Sequence, residues 1–138
     1  MIDIEYDVLD AVYPVLCEAE EGETPLVPVG NFSGEYVPAP ASLPFVTLIE
    51  IGNETDVNRR STSINEDYAL IAYDANVYSM TKDECKQIMG ALDDKMLSLG
   101  FNRTAKEYIP NLDDPLIHRM TARYLARVDQ NKVIYRRR

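Results

Sequence analysis

The strongest constraint on the fold of this chain lies in residues 68–100, where a strand pattern is followed at once by a helix pattern. Apolar and polar residues alternate from Tyr68 to Met80, which is typical of an antiparallel strand with one buried face. That face is predicted to hold five residues: Ala69, Ile71, Tyr73, Ala75 and Val77. A fold for this chain must therefore place an apolar surface over the strand.

The helix that follows has recognisable signals at both of its ends. Thr81 to Glu84 form a T-x-x-E capping box, and Gly100 stands where a left-handed residue ends a helix. The apolar residues between them fall on one stripe at helical spacing: Cys85, Ile88, Met89, Leu92, Met96 and Leu99. The pattern predicts a helix that packs this stripe over the sheet.

Another apolar stripe predicts a helix over residues 3–19. Its members are Ile4, Val8, Val12, Leu16 and Cys17, and acidic residues enrich its first turn. Pro14 removes one backbone donor and crowds the preceding turn. We therefore expect either a kink near Asp10 to Tyr13 or a break into two shorter helices.

Five prolines shape the segment 19–44. They are too frequent for a helix or a central strand: Pro25, Pro28, Pro38, Pro40 and Pro44. The segment is predicted to be an extended connection, with one short edge strand around Asn31 to Val37. A compact apolar strand follows from Phe45 to Ile51, and the polar residues 53–67 are predicted to form a long flexible loop.

The last third of the chain contains three further strand patterns. The first runs from Phe101 to Ile109, the second from Leu116 to Val128, and the third covers residues 132–136 after a tight turn. One face of the second strand is apolar, and the other carries a row of arginines: Arg119, Arg123 and Arg127. The whole order predicts one α+β domain over residues 1–138, an antiparallel sheet of about four to five strands with two helices on one face.

Charge is distributed unevenly along the chain, whose formal net charge is −9. Residues 1–100 hold 19 acidic and 5 basic side chains, whereas residues 101–138 hold 4 acidic and 9 basic ones. Because an acidic excess repels a polyanion, no sequence-specific binding of nucleic acid is expected. Two interpretations of the basic end stay open. It is either a solvated end that keeps an edge strand soluble, or a surface that attracts the acidic body of an identical neighbour, head to tail.

The chain carries no apolar run of about eighteen residues, so no membrane-spanning segment is expected. Its N-terminal residues lack the basic and apolar regions of a secretion signal. Cys17 and Cys85 each lie in an apolar helical pattern, and they are expected to be reduced thiols in an intracellular compartment.

Motifs for catalysis, cofactor binding or metal binding are missing from the sequence. There is no glycine-rich phosphate loop, no H-E-x-x-H and no cysteine pair at metal spacing, so no cofactor or metal is expected. The single histidine, His118, is expected to be a hydrogen-bonded core or interface residue. The carboxylate pairs Asp93-Asp94 and Asp113-Asp114 are expected to be solvated surface. We therefore predict that the protein is not an enzyme, with a small hydrolase as the least favoured alternative.

Several segments resemble one protein family when they are taken in order. After the N-terminal helix and the proline-rich connection comes Pro44-Phe45-Val46-Thr47-Leu48-Ile49-Glu50, and the strand from Ala69 to Ser79 leads into the helix from Lys82 to Leu99. Then follow Leu99-Gly100-Phe101-Asn102-Arg103 and, near the C-terminus, Val133-Ile134-Tyr135-Arg136. This order spans nearly the whole chain and resembles the tail-completion or tail-terminator proteins of long-tailed bacteriophages.

The resemblance implies a structural role in the virion, without catalytic residues. Members of that family are made in the host bacterial cytoplasm and form a ring, commonly a hexamer, that caps the finished tail tube and joins it to the head. The implied partners are copies of the chain itself, tail-tube proteins and head-tail connector proteins, and no membrane. The alternatives are another neck or tail-tube subunit and an assembly adaptor or chaperone.

The resemblance also implies roles for two groups of residues. A loop would reach toward the lumen or the tube, with Asn53, Glu54, Asp56, Arg59 and Arg60 as its candidates. Contacts between subunits would involve the sheet and the basic end, with Arg119, Arg123, Arg127, Arg136 and Arg137 as candidates.

Overall fold

The computed structural model describes residues 1–19, 21–35, 37, 42–55, 68–110, 116–132 and 134. Two helices and five strands follow one another in this order: α1 (Glu5–Cys17), β1 (Phe32–Ser33), β2 (Phe45–Thr55), β3 (Tyr68–Ser79), α2 (Lys82–Leu99), β4 (Asn102–Pro110) and β5 (His118–Asp129). The predicted α+β class is therefore confirmed.

The five strands form one sheet in the order β1-β2-β3-β5-β4. Three of its junctions are antiparallel, as predicted. β1 is the exception to the predicted antiparallel sheet, because Phe32 and Ser33 pair in parallel with Val46 and Thr47. A parallel pair requires that the connection between its strands return to the same end of the sheet.

The core lies against one face of β3 and β5. All five residues predicted for the buried face of β3 are buried, and the residues that alternate along β5 match them: Met120, Ala122, Tyr124, Ala126 and Val128. The Phe101 ring packs edge-on against Tyr73 with centroids 5.5 Å apart. The apolar stripe of α2 packs against β3, β4 and β5, so the predicted pattern of burial is confirmed here.

Helix α2 begins and ends where the sequence predicts. The Thr81 hydroxyl accepts a hydrogen bond of 3.2 Å from the backbone N–H of Glu84. The Glu84 carboxylate, however, accepts from the Ser79 hydroxyl, and the Thr81 N–H donates to that same hydroxyl oxygen. Ser79 thus takes the place of the second half of the capping box. Gly100 ends the helix with φ 107°, as the left-handed position requires.

Helix α1 runs through Pro14 without a break, so the predicted division into two helices is wrong. The missing N–H of Pro14 leaves the carbonyl of Asp10 without its helical donor. Packing outweighs that loss, because four residues of one stripe are buried: Val8, Val12, Leu16 and Cys17. Helix α1 also packs against α2. The placement of both helices on one face of the sheet stays a prediction.

Strand β2 is longer than predicted and continues to Thr55. Asn53 and Glu54, which were assigned to the loop 53–67, pair with Ile71 and Leu70 of β3, so this part of the loop prediction is wrong. The backbone ladder with β3 extends the strand although these residues are polar. The rest of the predicted loop, with Asp56, Arg59 and Arg60, lies outside the described residues.

Neither helix of the described segments has the combination of length and apolar character that a membrane span needs.

Candidate subunit interface

The three arginines predicted on β5 do share one face of the sheet, opposite the core. We call this face, which carries Asp74 on β3 and Arg119, Arg123 and Arg127 on β5, the outer face. Register places the arginines directly opposite residues of β3, with Arg119 across from Tyr78 and Arg123 across from Asp74. Because they lie four residues apart on a strand, the row is about 13 Å from one arginine to the next.

The Arg119 side chain makes its contacts with neighbouring residues of the sheet. Its Nε and Nη2 atoms both donate to Oδ1 of Asn76, at 3.1 and 2.8 Å. Its guanidinium also lies 5.6 Å from the centroid of the Tyr78 ring. Asn76 is only 4% exposed, and burying its amide would be costly without these donors. Arg119 therefore stabilises the outer face and is not a free cation for a partner.

Arg123 is exposed and lies at a cavity of about 340 Å³ on the outer face. The Asp74 carboxylate at this cavity accepts a hydrogen bond of 3.1 Å from the Thr121 hydroxyl. Glu107 of β4 also lines the cavity. Two arginines and two carboxylates thus surround one space, and such a balanced surface does not attract a nucleic-acid backbone.

Strand β4 lies at one edge of the sheet and is exposed along most of its length. It pairs only with β5 among the described strands, and residues 102–108 are all exposed. The register shifts between Arg103 and Ala105, which indicates a bulge. A bulge and a lysine, here Lys106, are the usual means of keeping an edge strand from pairing indiscriminately. We call β4 the basic edge.

Strand β2 offers a second open stretch near the opposite border of the sheet. β1 covers it only at Val46 and Thr47, and no described strand pairs with the outer side of residues 49–54. Ile51 is the extra residue of a bulge in this stretch and is 48% exposed. We call residues 49–54 the acidic edge, since this stretch contains Glu50 and Glu54.

The surroundings of the acidic edge are strongly negative. No lysine or arginine occurs before Arg59 in the sequence. Burial raises the pKa of Glu50, as do the nearby charges of Glu5 and Asp3, and a hydrogen bond from the Tyr73 hydroxyl opposes part of that effect. β4 and β5 together hold five basic and two acidic side chains, whereas β2 holds two acidic and no basic ones. The uneven charge along the chain thus becomes a charge difference across the sheet, although Lys132, which follows β5, lies 4.0 Å from Asp7 of α1.

The Cys85 thiol contacts the single histidine of the chain through the backbone of that residue. The Cys85 thiol donates to the backbone carbonyl of His118 at 3.3 Å, while ring atom Nδ1 of His118 pairs with the Tyr108 hydroxyl. Burial, with a smaller contribution from Glu84, raises the pKa of the Cys85 thiol to about 11. A thiolate is therefore scarce near neutral pH, and no imidazole is placed to make one.

Of the carboxylate pairs, Asp93 differs from the prediction of a solvated surface. Its side chain is only 14% exposed and forms an ion pair of 2.7 Å with Arg103. Its other oxygen accepts from the Tyr124 hydroxyl. Asp94 is exposed, as predicted, and the pair at 113–114 lies outside the described residues. Within the part of the chain that the structure describes, no group of three metal-ligating side chains comes together.

The basic C-terminus is described only in part. Ile134 forms an isolated bridge with Val128, in line with the predicted last strand, while Arg136 and Arg137 lie outside the described residues.

The sequence predicts the strand β4 but does not predict that it lies at the edge of the sheet. A signal was present, since residues 102–108 are mostly polar and only weakly alternating, which is typical of an edge strand.

Comparison with protein-family models finds none that matches this chain. A comparison with curated proteins likewise finds no match. The two sheet edges, with their opposite charges, are therefore the features from which a function can be inferred.

Proposed function

We propose that this protein is a structural subunit of a bacteriophage virion, a tail terminator that forms a ring at the head-proximal end of the tail and joins it to the head. One observation carries the proposal. A long exposed edge strand with basic side chains lies on one side of the sheet, and an open acidic stretch lies near the other side. Ring subunits need two different surfaces of this kind, because each copy meets one neighbour on either side.

Charge favours a head-to-tail contact over a symmetric dimer. In a two-fold dimer, the same surface meets itself, and pairing β4 with β4 would bring together two strands that each carry two basic residues, Arg103 and Lys106, and one acidic residue, Glu107. Contact between the basic edge and the acidic edge avoids this repulsion. Such a contact repeats from copy to copy, and it closes into a ring where the rotation permits.

The acidic bulk of the chain supports a position around a channel for DNA. Arg59 is the first basic side chain in the sequence, so α1 and β2 carry acidic side chains and no basic ones, and β1 carries no charge. A wall of this charge repels the phosphate backbone, and DNA then slides past it without being held. Tail-tube and head-tail connector proteins are the further partners that this role requires.

The segments that resemble tail terminators coincide with the elements that carry both edges. The segment 44–50 contains the first six of the eleven residues of β2, and the segment 99–103 joins the end of α2 to the start of β4. The resemblance and the charge separation thus favour the same surfaces.

The test is to measure mass in solution and presence in particles. The purified protein is expected to form a closed oligomer of defined mass by native mass spectrometry, with dissociation increasing as salt is added. Purified phage particles are expected to contain a few copies each. A protein that stays monomeric at every concentration would contradict the ring, and one that assists assembly but is absent from mature particles would be an adaptor.

A further inference from the structure

We infer that the ring forms by addition of strand to strand, in which β4 of one copy pairs with residues 49–54 of β2 in the next copy. This inference rests on the proposed function and specifies the contact that would build the ring. Each of the two sheet edges is therefore occupied by another copy of this chain.

Strand direction makes such a junction regular. β2 is antiparallel to β3, β3 to β5, and β5 to β4. Over these four strands the direction alternates, so β4 runs opposite to β2. Two copies placed side by side in the same orientation would therefore meet in an antiparallel pair, and the alternation would continue across the junction.

The acidic edge is shorter and less accessible than β4. Of residues 49–54, Ile51 and Glu54 are exposed, and the Asn53 side chain donates to the backbone carbonyl of Ile2 at 2.7 Å. β4 has nine residues, and the acidic edge provides six, which corresponds to about 20 Å of pairing. β1 ends before this stretch, because its partners are Val46 and Thr47 at the start of β2. A Cβ added to Gly34, the residue after β1, would lie 3.7 Å from the carbonyl oxygen of Leu48. Backbone donors and acceptors that face outward on an edge strand gain hydrogen bonds when a second strand is added.

Charge selects which edges pair. Lys106 of β4 is exposed and makes no ion pair with another described residue, and the same holds for Glu54 of β2. Arg103 of β4 is already ion-paired with Asp93, and Glu107 adds a negative charge to β4. Lys106 and Glu54 are therefore the charges on which this pairing depends. Pairing of unlike edges brings opposite charges together, whereas pairing of like edges brings equal charges together, which is unfavourable.

Exposed apolar side chains lie on both edges. Ile51 projects from the bulge of β2 at 48% exposure, and Tyr108 of β4 is 39% exposed. The Tyr108 ring is held in place by Lys82, whose Nζ atom lies 4.9 Å from the ring centroid. An apolar side chain on each edge supplies burial that charge alone does not provide.

Two charge reversals and their mixture test the contact. Lys106→Glu on the basic edge and Glu54→Lys on the acidic edge are each expected to weaken assembly at low salt by at least about tenfold. When the two variants are mixed, each junction again joins opposite charges, and assembly is expected to return. Recovery in the mixture also shows that both variants are folded.

Matched controls carry the same changes of charge at exposed positions of α2, outside the two edge strands. Lys86→Glu and Asp94→Lys change exposed residues and are expected to assemble within about twofold of the unchanged chain. Amide hydrogen exchange gives an independent measurement. Assembly is expected to slow exchange in residues 49–54 and in β4, relative to the monomer.

The possible outcomes test the contact between β4 and β2 separately from the proposed ring function. If the unchanged chain forms its ring, but the edge variants assemble as well as the controls and neither edge gains protection, the pairing of β4 with β2 is wrong and the ring function stands. If the unchanged chain stays monomeric at all concentrations, both the ring and this contact are wrong. If each charge reversal weakens assembly and the mixture of the two variants restores it, the result supports both the ring and the contact between β4 and β2.

Discussion

The hydroxyl of Tyr124 on β5 donates a hydrogen bond of 2.8 Å to the carboxylate of Asp93 on α2. The second oxygen of Asp93 is 2.7 Å from Nη1 of Arg103 on β4. Burial, followed by Asp93, raises the pKa of Tyr124, so the tyrosine stays protonated and remains a donor. The Asp93 carboxylate thus links helix α2 to two strands of the sheet, β5 through Tyr124 and β4 through Arg103.

Replacing Asp93 should therefore destabilise the fold. Asp93→Ala leaves the buried Tyr124 hydroxyl without its acceptor, which is expected to lower the free energy of unfolding by about 1–3 kcal/mol. The control Asp94→Ala changes an exposed neighbour and is expected to cost less than about 0.5 kcal/mol. Urea unfolding followed by circular dichroism measures both. Equal stability of the two variants would show that the Asp93 contacts contribute nothing.

Two glycines of the α2 region should respond in opposite directions to alanine. Gly100 has φ 107°, so Gly100→Ala forces a side chain into the left-handed region and is expected to cost about 1 kcal/mol. Gly90 lies within α2, where an added Cβ meets no atom within 4 Å. Gly90→Ala is expected to stabilise by about 0.5–1 kcal/mol. Thermal unfolding distinguishes the two variants. A change of melting temperature of the same sign in both would contradict the prediction.

The charge on Glu50 should make stability depend on pH. Burial, and then the charges of Glu5 and Asp3, raise its pKa above the ordinary 4.5, so the folded state binds the proton more tightly than the unfolded state does. Stability is then lost as pH rises through the folded pKa, and the charged carboxylate lowers stability at neutral pH.

Glu50→Gln should accordingly raise the free energy of unfolding at pH 7 by about 0.5 kcal/mol. The gain should shrink below pH 4.5, where the native carboxyl is itself neutral. Glu54→Gln, at an exposed position of the same strand, serves as the control and is expected to change stability less. Urea titrations at neutral and acidic pH measure the difference, and a less stable Glu50→Gln protein at pH 7 would refute the repulsion.

Both thiols should be unreactive while the protein is folded. Cys17 and Cys85 are free and fully buried, and burial raises the pKa of each. A thiol reagent such as Ellman's reagent is expected to react only after denaturant is added, with two thiols per chain. Rapid labelling of the native protein would show that α1 or α2 opens readily.

The sequence was sufficient to predict the local parts of this fold. The alternation along β3 and the caps of α2 depend on neighbouring residues, and both were predicted correctly because period and capping chemistry are local. The extension of β2 through Asn53 and Glu54 was missed, since a ladder with β3 overrides the polar character of these residues. The parallel direction of β1 was missed because it depends on the path of the connection.

The candidate interface was predicted only in part. The row of arginines on β5 follows from alternation, but the pairing of Arg119 with Asn76 joins residues 43 positions apart. The ion pair between Asp93 and Arg103 and the edge position of β4 likewise depend on strand order, which no local pattern records. Only the sheet order converts the separation of charge along the sequence into a separation in space.

The same sheet order has a consequence for synthesis on the ribosome. β4 precedes β5 in the chain, yet β5 is the strand that holds it in the sheet. In a nascent chain, β4 therefore cannot pair with β5 until residues 118–129 have emerged from the exit tunnel. Until that moment β3 also lacks one of its two neighbours, so a prematurely terminated product would present an apolar strand where the finished protein presents a charged one.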